Sequence, residues 1–185
     1  LIVDCGSNIG VSVSYFYQNY PRSRIIAFEP DPEIFECLSS NTRNYSSPNV
    51  QLHNKAVWTE ENFISFKSDG ADGGKIDGAG NCKVQSVNLS NFLQQEVDML
   101  KIDIEGAEES VLPAISKDLK NVRNLFLELH ISEHQPDLLE CTSRILRENG
   151  FAFKINAVGR LDFKSFNIQK GCSMQLNIFA INENF

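Results

Sequence analysis

Short unbroken apolar runs and longer stretches of helical spacing succeed one another along most of this chain. Leu1 to Val3 is the first such run and predicts a buried strand. Asp4, Gly6 and Gly10 then form a turn that opens an amphipathic helix over Val11 to Tyr20, stopped by Pro21. A second strand, Arg24 to Phe28, ends at Glu29. Asp31 caps the next helix with Pro32 at its first position, where the missing N–H is not needed. Ile34, Phe35 and Leu38 supply its inward face. A third strand spans Val50 to Asn54, with Ala56 and Val57 following. The fourth, Val97 to Ile104, leads into a helix broken near Pro113, and the fifth, Asn124 to Leu129, ends at His130. Pro136 to Asn149 form an amphipathic helix closed by Gly150, and Phe151 to Ile155 and Met174 to Ile181 are the last two strands.

This alternation predicts an α/β fold, a mostly parallel seven-stranded sheet with helices on both faces. The last two strands have no helix between them, so one is expected to run antiparallel at the edge. Residues 62–67 and 83–89 alternate apolar and polar, which reads as a hairpin inserted within 59–89. The glycine-rich stretch Ser68–Gly80 joins its strands and is a candidate lid. Residues 1–185 are read as one domain that starts abruptly inside its first strand, an excised or truncated piece.

Polar residues sit where the strands end: Asp4, Glu29, Asn54, Asp103 with Glu105, and Glu128 with His130. In open α/β sheets ligands lie outside these ends. A glycine turn between strand and helix lets a ligand approach bare backbone, with the helix N-terminus offering N–H donors. Glu29 falls where a nucleotide ribose would present its hydroxyls. A dinucleotide fingerprint has the spacing G-x-G-x-x-G, whereas here the first glycine position is Asp4 and Gly6 and Gly10 are spaced G-x-x-x-G. A carboxylate there repels a pyrophosphate but suits a cationic amino-acid group, as S-adenosylmethionine carries. The cofactor candidates are therefore Asp4, the turn residues Gly6, Ser7, Asn8 and Gly10, then Glu29, with Asn54 and Ala56 beside the adenine. A nucleotide-linked oxidoreductase and a non-catalytic cofactor-binding module are the alternatives.

Chemistry falls to Lys101, Asp103, Glu105 and His130. Period-two spacing places the first three on one face of a strand end, where Lys101 pairs with Asp103 or Glu128 or takes part in the reaction. His130 is a candidate general base or a strand-end cap. Asp103, Glu128 and His130 could form an oxygen-rich magnesium site, an idea that no ligand spacing favours.

A net charge of -7 argues against nucleic acid as the partner, and a small molecule or glycan is expected instead. No apolar run reaches membrane-spanning length, and the oligomeric state is not legible. Five scattered cysteines with no C-x-x-C pair suggest reduced thiols and a cytoplasmic location.

Asp4-Cys5-Gly6-Ser7-Asn8-Ile9-Gly10, Ala27-Phe28-Glu29-Pro30, Leu100 through Glu108 (L-K-I-D-I-E-G-A-E) and Glu128-Leu129-His130 together resemble the successive signatures of FkbM-family methyltransferases. The resemblance runs in order from Leu1 to about His130 and is most specific in the K-I-D-I-E-G-A-E run. It implies a Rossmann-like class I methyltransferase fold, S-adenosylmethionine as cofactor and methylation of hydroxyl groups. The Asn/Asp-Pro-Pro-Tyr/Phe pattern of many amino-group methyltransferases is absent at Asp103–Gly106, which also favours O-methylation.

Overall fold

The structure, a computed structural model, describes residues 1–45, 49–68, 74–76, 78–132, 134–158 and 174–185. Its centre is β1 (Ile2–Cys5), whose four residues are all buried. Such a strand has no solvent face, so both of its sides must be covered. It pairs in parallel with β2 (Ile25–Phe28) on one side and β8 (Val97–Ile102) on the other, setting Asp4 opposite Ala27 and Lys101. Beyond β2 lies β3 (Val50–His53), and beyond β8 lies β9 (Val122–Ile131), both parallel. The sheet is completed by β11 (Met174–Asn182) and β10 (Phe151–Ala157), in the order β10-β11-β9-β8-β1-β2-β3.

The antiparallel pairing expected at the edge is present, between β10 and β11. β11 runs antiparallel to both β9 and β10, so it lies one position inside the edge. Burial explains the placement: Leu176, Ile178 and Ala180 give β11 a buried period-two stripe, whereas β10 is exposed over most of its length beyond Phe151. A strand with an apolar stripe stabilises the sheet most when flanked on both sides, and the more polar one tolerates the edge.

α1 (Val11–Asn19) and α2 (Pro32–Thr42) cover one face, where Val13, Phe16 and Leu38 pack on Ile2, Ile25 and Ala27. α3 (Glu108–Ala114) and α4 (Leu138–Glu148) cover the other, where Leu112, Ile145 and Leu146 join Val3, Phe28 and Leu127 in the larger core. The two clusters take alternate residues of the same strands, as the pleat requires. Asp31 caps α2 as expected, its side chain accepting from the N–H groups of Glu33 and Ile34. Gly150 follows α4 at φ 81, the left-handed close that glycine favours. On the α1 face the helices stop short. The surface of β8, β9, β11 and β10 there forms an open apolar groove of about 1390 Å³, floored by Met99, Phe126, Phe179 and Ile181.

Between β3 and β8 the chain builds a second sheet from β4 (Ala56–Trp58), β5 (Phe63–Lys67), β6 (Lys75–Ile76) and β7 (Cys82–Asn88). The expected hairpin is present as the antiparallel pair β5–β7. Ala56 and Val57, read as trailing the third strand, instead open this sheet by pairing in parallel with β7. The candidate lid Ser68–Gly80 is described only in part: residues 69–73 and 77 lie outside the described residues, as do 159–173. Cys5, Cys37, Cys82 and Cys141 are free thiols. Among the described residues no helix is long and apolar enough to cross a membrane.

Candidate active site at the carboxyl ends of the strands

A cleft opens where β1, β2, β8 and β9 end, walled on the far side by Phe66 and Ile76 of the second sheet. Gly6, Asn8, Glu29 and Ala56 line it among the expected cofactor residues, and Asp103 and Glu105 among the expected catalytic ones. Asp4, Ser7, Gly10, Asn54, Lys101 and His130 do not line it.

The turn after β1 is stabilised from within. The N–H groups of Gly6 and Ser7 both donate to the Phe28 carbonyl, at 3.0 and 2.9 Å. Asn8 N–H donates to Glu29 Oε2 at 2.9 Å, Ile9 N–H to Asn8 Oδ1, and Gly10 N–H to the Ser7 carbonyl. Every N–H from Gly6 to Gly10 is thus engaged inside the protein, and the expected row of donors for a ligand is consumed by the fold. Gly6 is needed for a different reason. It has φ 79, and a Cβ there would sit 1.7 Å from the Asp103 carbonyl oxygen. The close approach that this glycine permits is between two loops of the protein.

Asp4 is fully buried and faces inward. Its Oδ2 accepts from Ser12 Oγ at 2.6 Å, and its Oδ1 lies 3.4 Å from Lys101 Nζ. Lys101 also donates to the Gly6 carbonyl at 2.8 Å and pairs with Asp103 at 3.3 Å. Burial works against the Lys101 charge, but Asp4 and Asp103 outweigh it and hold the ammonium above its ordinary range. A cation so held is a staple joining β1, the glycine turn and the loop after β8, and not a proton acceptor. Pairing with Asp103 is the structural role foreseen for Lys101; the Asp4 contact was not foreseen.

Glu29 ends β2 with its carboxylate sunk in the cleft wall. Oε2 takes the Asn8 N–H and Oε1 the Asp31 N–H, each at 2.9 Å. Each oxygen keeps a further acceptor site, so two remain for a ligand. Burial pushes this carboxyl up to about 7 despite the two backbone donors. Asn54 is exposed, and its amide donates to the Glu29 and Pro30 carbonyls at 2.9 and 3.1 Å. It shapes the strand ends from outside the cleft, so the adenine contact expected of it is not made by this geometry. Asp31 was read only as a helix cap, yet it lines the cleft and accepts from Ser68 Oγ, tying α2 to the second sheet.

β8 ends at Ile102, two residues earlier than expected, so Asp103 and Glu105 lie on a loop and strand alternation no longer relates them to Lys101. Glu105 has φ 54, in the left-handed region that a non-glycine residue seldom enters, and Gly106 follows at φ 96. Burial first, and then the neighbouring carboxylates Asp103, Glu108 and Glu128, push Glu105 up to about 7, with His130 acting in the opposite sense. β9 in turn extends past Leu129, so Glu128 and His130 belong to the strand itself.

His130 stands among carboxylates. Its Nδ1 is 3.2 Å from Glu108 Oε1, and its Nε2 is 3.5 Å from Glu105 Oε2 and 3.7 Å from Glu128 Oε1. Burial disfavours the charged ring, but the hydrogen bond and charge of Glu108, with Glu105 and Asp103, raise it to about 9. It is a cation at neutral pH, which removes it as the resting general base. Asp103, Glu105 and His130 bring polar atoms within 4.8 Å of one another. Both ring nitrogens already face carboxylates, so the group is satisfied as an ion-pair network. Glu108 is fully buried at the start of α3, and sequence reasoning missed it. Its only signal was a position inside the K-I-D-I-E-G-A-E run.

The family model for the methyltransferase FkbM domain matches residues 4–153. Methyltransferase 1 of Beauveria bassiana is 27% identical over 184 residues, covering 83% of this chain and 73% of that protein. Hexuronic acid methyltransferase AglP of Haloferax volcanii is 23% identical over 164 residues, covering 85% of this chain and 65% of its own length. Among solved structures, methyltransferase FkbM from Methylobacillus flagellatus superposes with a TM-score of 0.63 at 17% identity, over 97% of this chain but 42% of that one. Aeropyrum pernix fibrillarin, solved with natively bound S-adenosyl-L-methionine, has the same fold at a TM-score of 0.55 and 14% identity, over 97% of this chain and 65% of that one. With the family model spanning most of its length and the signature loops converging on one cleft, this chain belongs to the FkbM methyltransferase family.

Proposed function

We propose that this chain transfers the methyl group of S-adenosylmethionine to a hydroxyl oxygen of a sugar or secondary metabolite. The observation that carries the reading is the pair of carboxylates, Asp103 and Glu105, on the wall of the cleft at the end of β8. Bound S-adenosylmethionine supplies an electrophilic methyl group on a sulfonium. The residues of the cleft suit that donor: Glu29 keeps two acceptor sites for a ribose diol, and Phe28, Ala56, Val57, Phe66 and Ile76 offer apolar walls to a flat base. Glu29, Asp31, Asp103, Glu105 and Glu128 give the cleft an acidic lining that favours a cationic ligand over a pyrophosphate.

An alcohol needs a base as its oxygen attacks, because its proton must leave. Asp103 is committed to Lys101. Glu105, which faces the His130 ring at 3.5 Å and not the Lys101 ammonium, is brought to about 7 and is the better acceptor for that proton. The acceptor oxygen forms a bond to the methyl carbon, the carbon–sulfur bond breaks, and the proton passes to the Glu105 carboxylate. The hexuronic acid methyltransferase among the relatives makes a sugar acid one acceptor worth testing first. A small molecule or glycan, not nucleic acid, is the partner this acidic chain suits.

The test is incubation with labelled methyl donor and hexuronic acids, neutral glycans, glycolipid precursors and polyketides, followed by mass spectrometry and by acid and base stability of the product. A methyl ether is expected; a methyl ester would place the acceptor on a carboxylate and overturn the hydroxyl reading, and a methylamine overturns O-methylation altogether. Glu105→Gln should lower kcat by about 10²- to 10⁴-fold with donor affinity unchanged within a few-fold. Asp103→Asn should instead disturb affinity and turnover together, because it breaks the Lys101 staple.

A further inference from the structure

Glu108 does not line the cleft, yet it is a fully buried carboxylate placed between two of the loops that build it. Its Oε1 accepts the Ile104 N–H at 3.1 Å and faces His130 Nδ1 at 3.2 Å. Its Oε2 is buried without a hydrogen-bond partner, so all of its polar anchoring runs through that one oxygen. A carboxylate withdrawn from water this completely is stable only against a cation or several donors. His130 is the cation within reach. The ring is then oriented by its Nδ1, and its Nε2 edge is turned to Glu105 and Glu128. Carboxylates only accept, so an imidazole with carboxylates at both nitrogens needs an N–H on each.

The groups facing the ring come from every neighbouring element: Asp103 and Glu105 from the loop after β8, Glu108 from α3, and Glu128 from β9 itself. Gln175 of β11 sits opposite and donates to Glu128. Glu105 meanwhile holds a left-handed backbone that is unfavourable for a residue with a Cβ and persists only where its surroundings enforce it. Among the described residues, Glu105 Oε2 lies 3.5 Å from His130 Nε2.

We propose that Glu108 is a positioning residue, which clasps the Asp103–Gly106 loop to the end of β9 by fixing the His130 ring and, through it, the left-handed conformation of Glu105. The proposal rests on the methyl-transfer reading only for what the loop serves; the clasp itself is structural and has its own readouts.

Nitrogen-15 spectroscopy of the wild-type chain at neutral pH should find both His130 nitrogens protonated, with a slowly exchanging Nδ1–H. A neutral ring with a lone pair at Nδ1 overturns the clasp without any variant. Glu108→Gln and His130→Gln should each speed amide exchange at Ile104, Glu105 and Gly106 by about tenfold or more, leaving the central amides of β1 and β2 unchanged. The double variant should add nothing to either single change, since both remove one unit. Equal acceleration across the whole sheet, unchanged exchange at 104–106, or simple additivity each overturns the proposal. Calorimetry with S-adenosylhomocysteine on the same samples keeps the two readings apart. Lack of binding by the wild type sinks the methyltransferase reading while the spectroscopic result still stands.

Discussion

Glu29 shows how much one side chain can do once its surroundings are known. As a letter at the end of a strand it suggested a ribose acceptor; in place, it also braces the glycine turn through Asn8 and the start of α2 through Asp31. Its carboxyl is raised to about 7, chiefly by burial, and a ribose diol donating to it favours the ionised form. Binding should therefore expel a proton, and S-adenosylhomocysteine affinity should rise between about pH 6 and about pH 8. Calorimetry in two buffers of different ionisation enthalpy measures that proton directly. Glu29→Gln should weaken S-adenosylmethionine and S-adenosylhomocysteine alike, by about tenfold or more, and abolish the pH dependence. A variant that binds both as tightly as wild type would remove Glu29 from the ribose site.

At the scale of elements, the site is built on two loops, after β1 and after β8, locked edge to edge. The glycine turn lies against the Asp103 backbone, and Lys101 reaches from β8 to Asp4, Gly6 and Asp103 at once. Gly6→Ala forces a Cβ onto the Asp103 carbonyl and disfavours the required φ, so it should cost cofactor binding before it costs the fold. Comparing donor affinity with thermal midpoint separates the two effects. Lys101→Met leaves Asp4 buried with an uncompensated charge, and denaturant unfolding should register a loss of about 3 to 5 kcal/mol. Adding Asp4→Asn to Lys101→Met should recover part of that loss, because the stranded charge goes with it. A purely additive pair would show that the staple is not the source of the effect.

For the whole molecule, the acidic cleft makes stability depend on pH in one direction. His130 is raised to about 9, so its contribution is complete below the ordinary imidazole range and disappears as pH rises through about 9. Glu29 and Glu105 are raised to about 7, so theirs is complete below the ordinary carboxylate range and disappears as pH rises through about 7. All three act with the same sign; His53, lowered by burial, opposes them across the ordinary imidazole range, so the thermal midpoint should fall overall from about pH 5 to about pH 9. Glu105→Gln should flatten the lower part of that curve; an unchanged slope would contradict the burial argument. The open apolar groove is a second global property. It should bind a hydrophobic dye, and Phe179→Ser with Ile181→Ser should abolish that signal with little change in midpoint, since both side chains are exposed.

Periodicity alone determined the central strands, because β1 and β2 are buried on both faces and must read as unbroken apolar runs. Residue identity set the capped start of α2 and the left-handed close after α4, where local chemistry decides the outcome. The signature segments identified the family, and Glu29, Asp103 and Glu105 do meet in one cleft. Only the tertiary structure decided the rest. The place of β11 inside the edge depends on which of two strands buries its stripe better, a comparison between distant segments. Asp4, the glycine-turn N–H groups and Asn54 were read as reaching for a ligand, but each met a nearer partner in the folded chain. Glu108 carried no sign beyond its place in the K-I-D-I-E-G-A-E run, because the His130 that meets its buried carboxyl lies 22 residues away in sequence. Hydrophobic pattern is a local property of the chain, whereas the pairing of buried charges exists only after the chain has closed on itself.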